Sequence, residues 1–164
     1  MLTKNKFRIF VDGSFDERCG IGTIAYHIQP EVNGIRLNIA NTVFATRIFH
    51  CKNSFDAEIC AIGLGFDMIK KLINLHPILK QVPVRVKSDN LYLIKYITKG
   101  TWRTDEDLDL YYVEDIQHLE DCYKWLKEQL PNFKLSYINS KNNLAHKNAY
   151  EMLRLERGLL DWIN

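Results

Sequence analysis

The sequence lacks the marks of most specialised classes. No uncharged stretch approaches the roughly 20 apolar residues that a membrane span needs, so no membrane association is expected. No basic-then-apolar leader opens Met1-Leu2-Thr3-Lys4-Asn5-Lys6, which makes a cytoplasmic location the expectation. The four cysteines, Cys19, Cys51, Cys60 and Cys122, are separated by 32, 9 and 62 residues. They form no CxxC pair and match no zinc spacing, and without a secretory signal they read as reduced core thiols, not disulfides. Charge of one sign is also missing: 22 Lys+Arg stand against 20 Asp+Glu, a net of +2. That sum does not advertise a polyanion partner, although a local patch matters more than a sum. No repeat, low-complexity tract or linker interrupts the chain.

What is present fits a folded domain. Hydrophobic residues make up 46% and charged residues 26% of the chain, too apolar and too balanced for disorder. The length suits one domain over residues 1–164 with its own core, and a monomer is the expected state. Phe7 to Asp12 alternates, with Phe7, Ile9 and Val11 on one side and Arg8, Phe10 and Asp12 on the other, and Gly13-Ser14 is expected to end that strand. Gly20–Ile28 and Ile35–Ile48 read as two more strands, with Pro30 and Asn33-Gly34 as the turn of an antiparallel meander.

The period then changes. Phe55, Ile59, Ile62, Phe66, Ile69 and Ile73 step by three and four, one face of a long helix. Val84–Asp89 is a short strand, and Asn90–Lys99 a short helix stopped by Gly100. Tyr112, Ile116, Leu119, Tyr123, Leu126 and Leu130 mark a second long helix. Lys134–Ile138 is a last strand, and a closing helix begins at Leu144. The acidic run Asp105-Glu106-Asp107 with Asp109 reads as a solvated helix start. The order βββ-α-β-α-α-β-α predicts an α/β fold: a mixed five-stranded sheet, antiparallel meander plus parallel strands, flanked by helices.

Three carboxylates need a chemical account. Asp12 and Asp89 close strands, where α/β sheets place ligands, though either is also a natural turn-former or N-cap. Glu58 shares a helix face with Phe55 and Ile62 and therefore leans toward the sheet. A buried carboxylate needs a cation, a donor or a proton. Either Arg8 or Arg85 supplies the partner, or Asp12, Glu58 and Asp89 converge on a hard divalent cation.

These segments resemble the ribonuclease H family. Ile9-Phe10-Val11-Asp12-Gly13-Ser14 is similar to its first-strand motif. Ala57-Glu58-Ile59-Cys60-Ala61 resembles its helix motif, and Val86-Lys87-Ser88-Asp89-Asn90 its fourth-strand motif. Asn143-Leu144-Ala145-His146-Lys147-Asn148-Ala149 resembles the last motif, NxxADxxA, with His146 in place of aspartate. The spacings of 46, 31 and 57 residues and the order of elements agree over roughly residues 6–160.

The resemblance implies a ribonuclease H-like sheet and a metal-dependent endoribonuclease that hydrolyses the RNA strand of RNA–DNA hybrids. It makes Asp12, Glu58 and Asp89 catalytic metal ligands and puts His146 in the fourth position. Two Mg²⁺ ions about 4 Å apart suit such a displacement, one activating water and one stabilising the leaving oxygen. Carboxylates suit Mg²⁺, while an imidazole favours Mn²⁺ as substitute or preferred ion. Gly13, Ser14, Asn53, Ser54, Asn90, Lys141 and Asn143 become candidate nucleic-acid contacts, and Lys95, Lys99, Arg103 and Lys141 candidates for phosphates. The sequence departs from the family at His146, in a short Ile138–His146 segment without a further histidine, and in an acidic stretch where some members carry a basic protrusion. His146 is therefore either a ligand or a histidine on the surface or packed near Ala149, Tyr150 and Leu153. A ribonuclease H-like binding or structural module without catalysis is the alternative these departures keep open.

Overall fold

The computed structural model describes residues 6–163, with side chains described up to Leu159; the opening Met1–Asn5 of the expected leaderless start lie outside the described residues. Strands β1 (Phe7–Asp16), β2 (Ile21–Gln29), β3 (Glu31–Val32), β4 (Ile35–Arg36), β5 (Val43–Ile48), β6 (Val84–Ser88) and β7 (Phe133–Tyr137) accompany helices α1 (Ser54–Leu75), α2 (Leu91–Lys99), α3 (Val113–Gln129) and α4 (Leu144–Ile163). The main sheet has the order β5-β2-β1-β6-β7. β5, β2 and β1 are antiparallel neighbours, and β6 and β7 join β1 in parallel. This is the expected mixed five-stranded sheet. No helix among the described residues is long and apolar enough to cross a membrane.

Two expectations for the meander are corrected. β1 does not end at Gly13-Ser14. It runs to Asp16, with Gly13 opposite Ile24 and Ser14 opposite Thr23, because β2 keeps pairing with it. The strand expected over Ile35–Ile48 divides. Asn33 (φ 53°) and Gly34 (φ 77°) turn a small β3–β4 hairpin, the left-handed pair that a tight two-residue loop requires. The chain rejoins the sheet only at β5.

Alternation along β1 sorts its residues between two faces. Phe7, Ile9 and Val11 enter the main core with Ile62, Phe66 and Ile69 of α1 and Ile116, Leu119 and Leu126 of α3. Phe10, on the other face, packs with Ala25 of β2 and with Ala145 and Ala149 of α4. Asp12 shares that second face.

The helix ends follow local chemistry. The Asn53 side chain caps α1 by accepting from Asp56 N at 2.9 Å, and Asn90 caps α2 by accepting from Leu93 N at 3.0 Å. Gly100 (φ 65°) ends α2 in the left-handed conformation that glycine adopts without strain. The acidic run is not the start of α3. Asp105 accepts from the Tyr96 hydroxyl, and Asp109 caps a single 3₁₀ turn before Val113. All four cysteines are free, but Cys122 alone is buried and Cys19 is exposed, which corrects their reading as core thiols.

Candidate metal centre at the strand edge

Close backbone approach builds the site. A Cβ on Gly13 would lie 2.5 Å from the carbonyl carbon and oxygen of Ala57, so only glycine lets β1 and α1 meet there. That contact sets Glu58, the next residue of α1, beside Asp12. Asp89 follows β6 directly, one strand over. His146 enters on the first turn of α4, and its Nδ1 lies 2.7 Å from Asp12 Oδ2.

Asp12, Asp89 and His146 each offer one ligand atom, all within 4.8 Å of one another. Glu58 stands next to this trio, and its Oε2 is buried with no hydrogen-bond partner among the described residues. The pairing of Glu58 with Arg85 is not seen; Arg85 Nη1 donates instead to the carbonyls of Val84 and Asn132 at 3.0 and 2.6 Å. Asp12 is 2% exposed and His146 55%, so the trio sits between core and solvent.

The cluster repels itself. Burial, then the charges of Asp12 and Asp89, push the Glu58 carboxyl up to about 9. Burial and the Asp89 charge push Asp12 up to about 6 against the pull of His146. Burial also raises Asp89, while His146 and an Asn143 hydrogen bond lower it. A divalent cation would oppose these shifts, since an opposite charge nearby favours the ionised carboxylates that burial and like charge disfavour. The oxygen-rich set with one imidazole fits Mg²⁺ or Mn²⁺.

The candidate nucleic-acid residues fall into two groups. Ser54 and Lys141 are exposed, and Ser14 and Asn90 are half-buried at the rim. Gly13, Asn53 and Asn143 carry structural duties. Asn53 Nδ2 donates to the Tyr112 hydroxyl at 2.6 Å besides capping α1. Asn143 is buried; its Nδ2 donates to Val11 O at 2.9 Å and its Oδ1 accepts from Ala145 N at 3.1 Å. It therefore ties the start of α4, and with it His146, to β1. Sequence reasoning missed this role, although an asparagine just before a helix start is the local signal of a cap. Arg103 is likewise committed: it donates to both carboxylate oxygens of Glu120 and lies over Trp102.

No protein-family model matches the sequence, and none of the curated proteins does. Solved structures match its shape. The N-terminal ribonuclease H domain of a Mycobacterium tuberculosis protein has a TM-score of 0.66 at 15% identity, over 95% of this chain and 99% of that one. LC11 RNase H1, isolated from compost by a metagenomic approach, has a TM-score of 0.63 at 18% identity, over 90% and 92%. The same enzyme in complex with an RNA/DNA hybrid has a TM-score of 0.57 at 14% identity, over 87% and 92%. These matches establish the fold as that of ribonuclease H.

Proposed function

Starting from a ribonuclease H fold with carboxylates gathered at one strand edge, we propose that the chain is a metal-dependent endoribonuclease acting on the RNA strand of RNA–DNA hybrids. The observation that carries this reading is the buried, unpartnered Glu58 Oε2 beside the Asp12, Asp89 and His146 ligand atoms. A buried carboxyl oxygen without a partner is costly in a protein that does not use it.

In this reading Asp12, Glu58 and Asp89 hold divalent cations through oxygen, and His146 offers its imidazole beside them. Bound divalent ions supply an activated water and charge stabilisation at the leaving oxygen. Asp12 is positioned by β1 and by the His146 Nδ1 contact; Asp89 is positioned by its place after β6 and by Asn143. The N-terminal turn of α1, with Asn53 and Ser54, lies beside Glu58, where contacts to 2′-hydroxyls would distinguish RNA from DNA.

A second reading rests on the His146 contact itself. An imidazolium 2.7 Å from Asp12 would neutralise that carboxylate without a metal, as a non-catalytic module would need. One assay separates the two: incubation with labelled RNA–DNA hybrid, double-stranded RNA and double-stranded DNA, with and without Mg²⁺ or Mn²⁺. The enzyme reading expects cleavage of the hybrid's RNA strand only, and only with metal. Hybrid binding without cleavage under any metal supports the second reading.

A further inference from the structure

The sheet face shared by Phe10 and Asp12 is covered unevenly. α4 packs over β5, β2 and β1. Beyond it, Arg8, Arg85 and Lys134 stand in register on β1, β6 and β7, and Lys87 stands one step closer to Asp89 on the same face. In-register neighbours on adjacent strands are about 4.8 Å apart, and each two-residue step along a strand is about 6.6 Å. Four cations thus form a compact block that begins next to Asp89 and extends roughly 13 Å from it. Lys87 and Arg85 are half-buried and Lys134 is exposed.

The clustering of like charge is not a packing device, although Arg85 itself donates to the Val84 and Asn132 carbonyls. Like charges directly opposite one another on a sheet are destabilising, and among the described residues no carboxylate forms an ion pair with Arg85, Lys87 or Lys134. The block continues into a cavity of about 330 Å³ lined by Lys6, Arg8, His27 and Arg36, with Glu31 the one acidic wall residue among the described residues. Of the rings on this part of the face, Phe10 is 2% exposed beneath α4 and His27, its partner on β2, is half-buried, so charge outweighs any platform for stacking unpaired bases. Charge without stacking suits the phosphate backbone of a duplex and not a single strand.

We propose that this open face of β1, β6 and β7 is a second phosphate-binding surface, which holds the duplex of the hybrid beyond the scissile position. The inference rests on the nucleic-acid reading of the strand edge and extends it to a surface outside the metal site. It makes Arg85, Lys87 and Lys134 affinity determinants that take no part in the chemistry.

The test is hybrid affinity as a function of KCl, measured by fluorescence anisotropy in EDTA so that binding is separated from cleavage. Three proteins are compared: the parent, Lys87→Gln/Lys134→Gln, and Lys71→Gln/Lys80→Gln. The last removes the same charge from exposed positions elsewhere. Each lost phosphate contact should make the slope of log K against log[salt] shallower by about 0.9. The face pair should therefore flatten it by about 1.8, and the control pair should leave it unchanged. Adding Arg85→Gln should flatten it by about 0.9 more; the double variant, which keeps the Arg85 bonds to Val84 and Asn132, guards against a folding defect. Equal slopes in the parent and the face pair, with hybrid cleavage intact, overturn this inference and leave the enzymatic reading standing. A flattened slope in a protein that never cleaves supports the surface and removes the activity. Polyglutamate binding that the face pair loses, with hybrid binding unchanged, would assign the face to an acidic protein and overturn the inference.

Discussion

Two glutamates with buried carboxylate oxygens are treated in opposite ways. Glu120, on α3, is 3% exposed, and every need of its charge is met. Arg103 grips both oxygens, Trp102 Nε1 donates at 3.2 Å, and Lys124 approaches from the next turn. The Arg103 hydrogen bonds, foremost, hold it down at about 2. Glu58, on α1, forms no ion pair among the described residues: its Oε2 has no hydrogen-bond partner there, and burial with two neighbouring aspartates drives it to about 9. The fold can solve the buried-carboxylate problem and does so at the α2–α3 corner. Leaving it unsolved at the strand edge is the pattern of a site that completes itself with a metal.

Substitutions at the two carboxylates and their neighbours should differ in size of effect. The largest concerns chemistry. Asp12→Asn removes the carboxylate that touches His146 and couples to both Glu58 and Asp89, and should lower hybrid cleavage on the order of 10³-fold while the fold persists. Turnover near that of the parent would take Asp12 out of the reaction. Next come paired stability effects of opposite sign. Glu120→Gln breaks an ion pair whose arginine is half exposed, so solvent screens the loss and Tm should fall by only about 3 °C. Glu58→Gln should raise the metal-free Tm at pH 8 by about 5 °C, because the parent must take up a proton at this carboxyl in order to fold.

The pH dependences also oppose each other. Glu120 has a depressed folded-state pKa, so its stabilisation is present above about 4.5 and is lost as pH falls toward about 2. Glu58 has a raised one, so the metal-free protein is favoured below about 4.5 and loses stability as pH rises toward about 9. Thermal melts from pH 3 to 9 on the two Gln variants should flatten opposite limbs of the parent's curve. Parallel curves would dissolve the contrast.

Further effects sharpen the site. Asn143→Ala removes a helix cap and leaves Val11 O without its donor, a loss of about 2 kcal/mol. It should also weaken metal binding about tenfold, since it frees the turn that carries His146. Unchanged metal affinity at reduced Tm would limit Asn143 to stability. The subtlest change is His146→Asp, which should move the metal preference from Mn²⁺ toward Mg²⁺. Identical preferences in His146→Asp, His146→Ala and the parent would make His146 a bystander.

Much of this was legible in the sequence because it depends on local periodicity. Phe55 to Ile73 and Tyr112 to Leu130 announced two helices by their three-and-four steps, and Asn90 and Gly100 marked both ends of α2. Asp12, Asp89 and His146 were expected together, and the structure brings their ligand atoms together; Glu58 was expected among them and stands beside them. What the sequence hid depends on pairing between distant segments. β1 passes Gly13 because β2 stays paired with it, and Gly13 is required by the α1 backbone. Arg103 reads as a phosphate contact in sequence, but Glu120, 17 residues away on α3, holds it. The cations of the open face are scattered over three strands and form a block only through sheet register.

The claim that the strand edge is a divalent-cation site is tested most directly by melting temperature against Mg²⁺ and Mn²⁺, at pH 7.5, for the parent and an Asp12→Asn/Asp89→Asn variant. A cation that binds the folded protein alone stabilises it by about 2.7 kcal/mol at a hundred times its Kd, roughly 5–10 °C for a domain of this size. The account predicts a shift of that order in the parent, larger for Mn²⁺ at equal concentration, and none in the variant. Equal shifts in both proteins, or no shift in either, would contradict it.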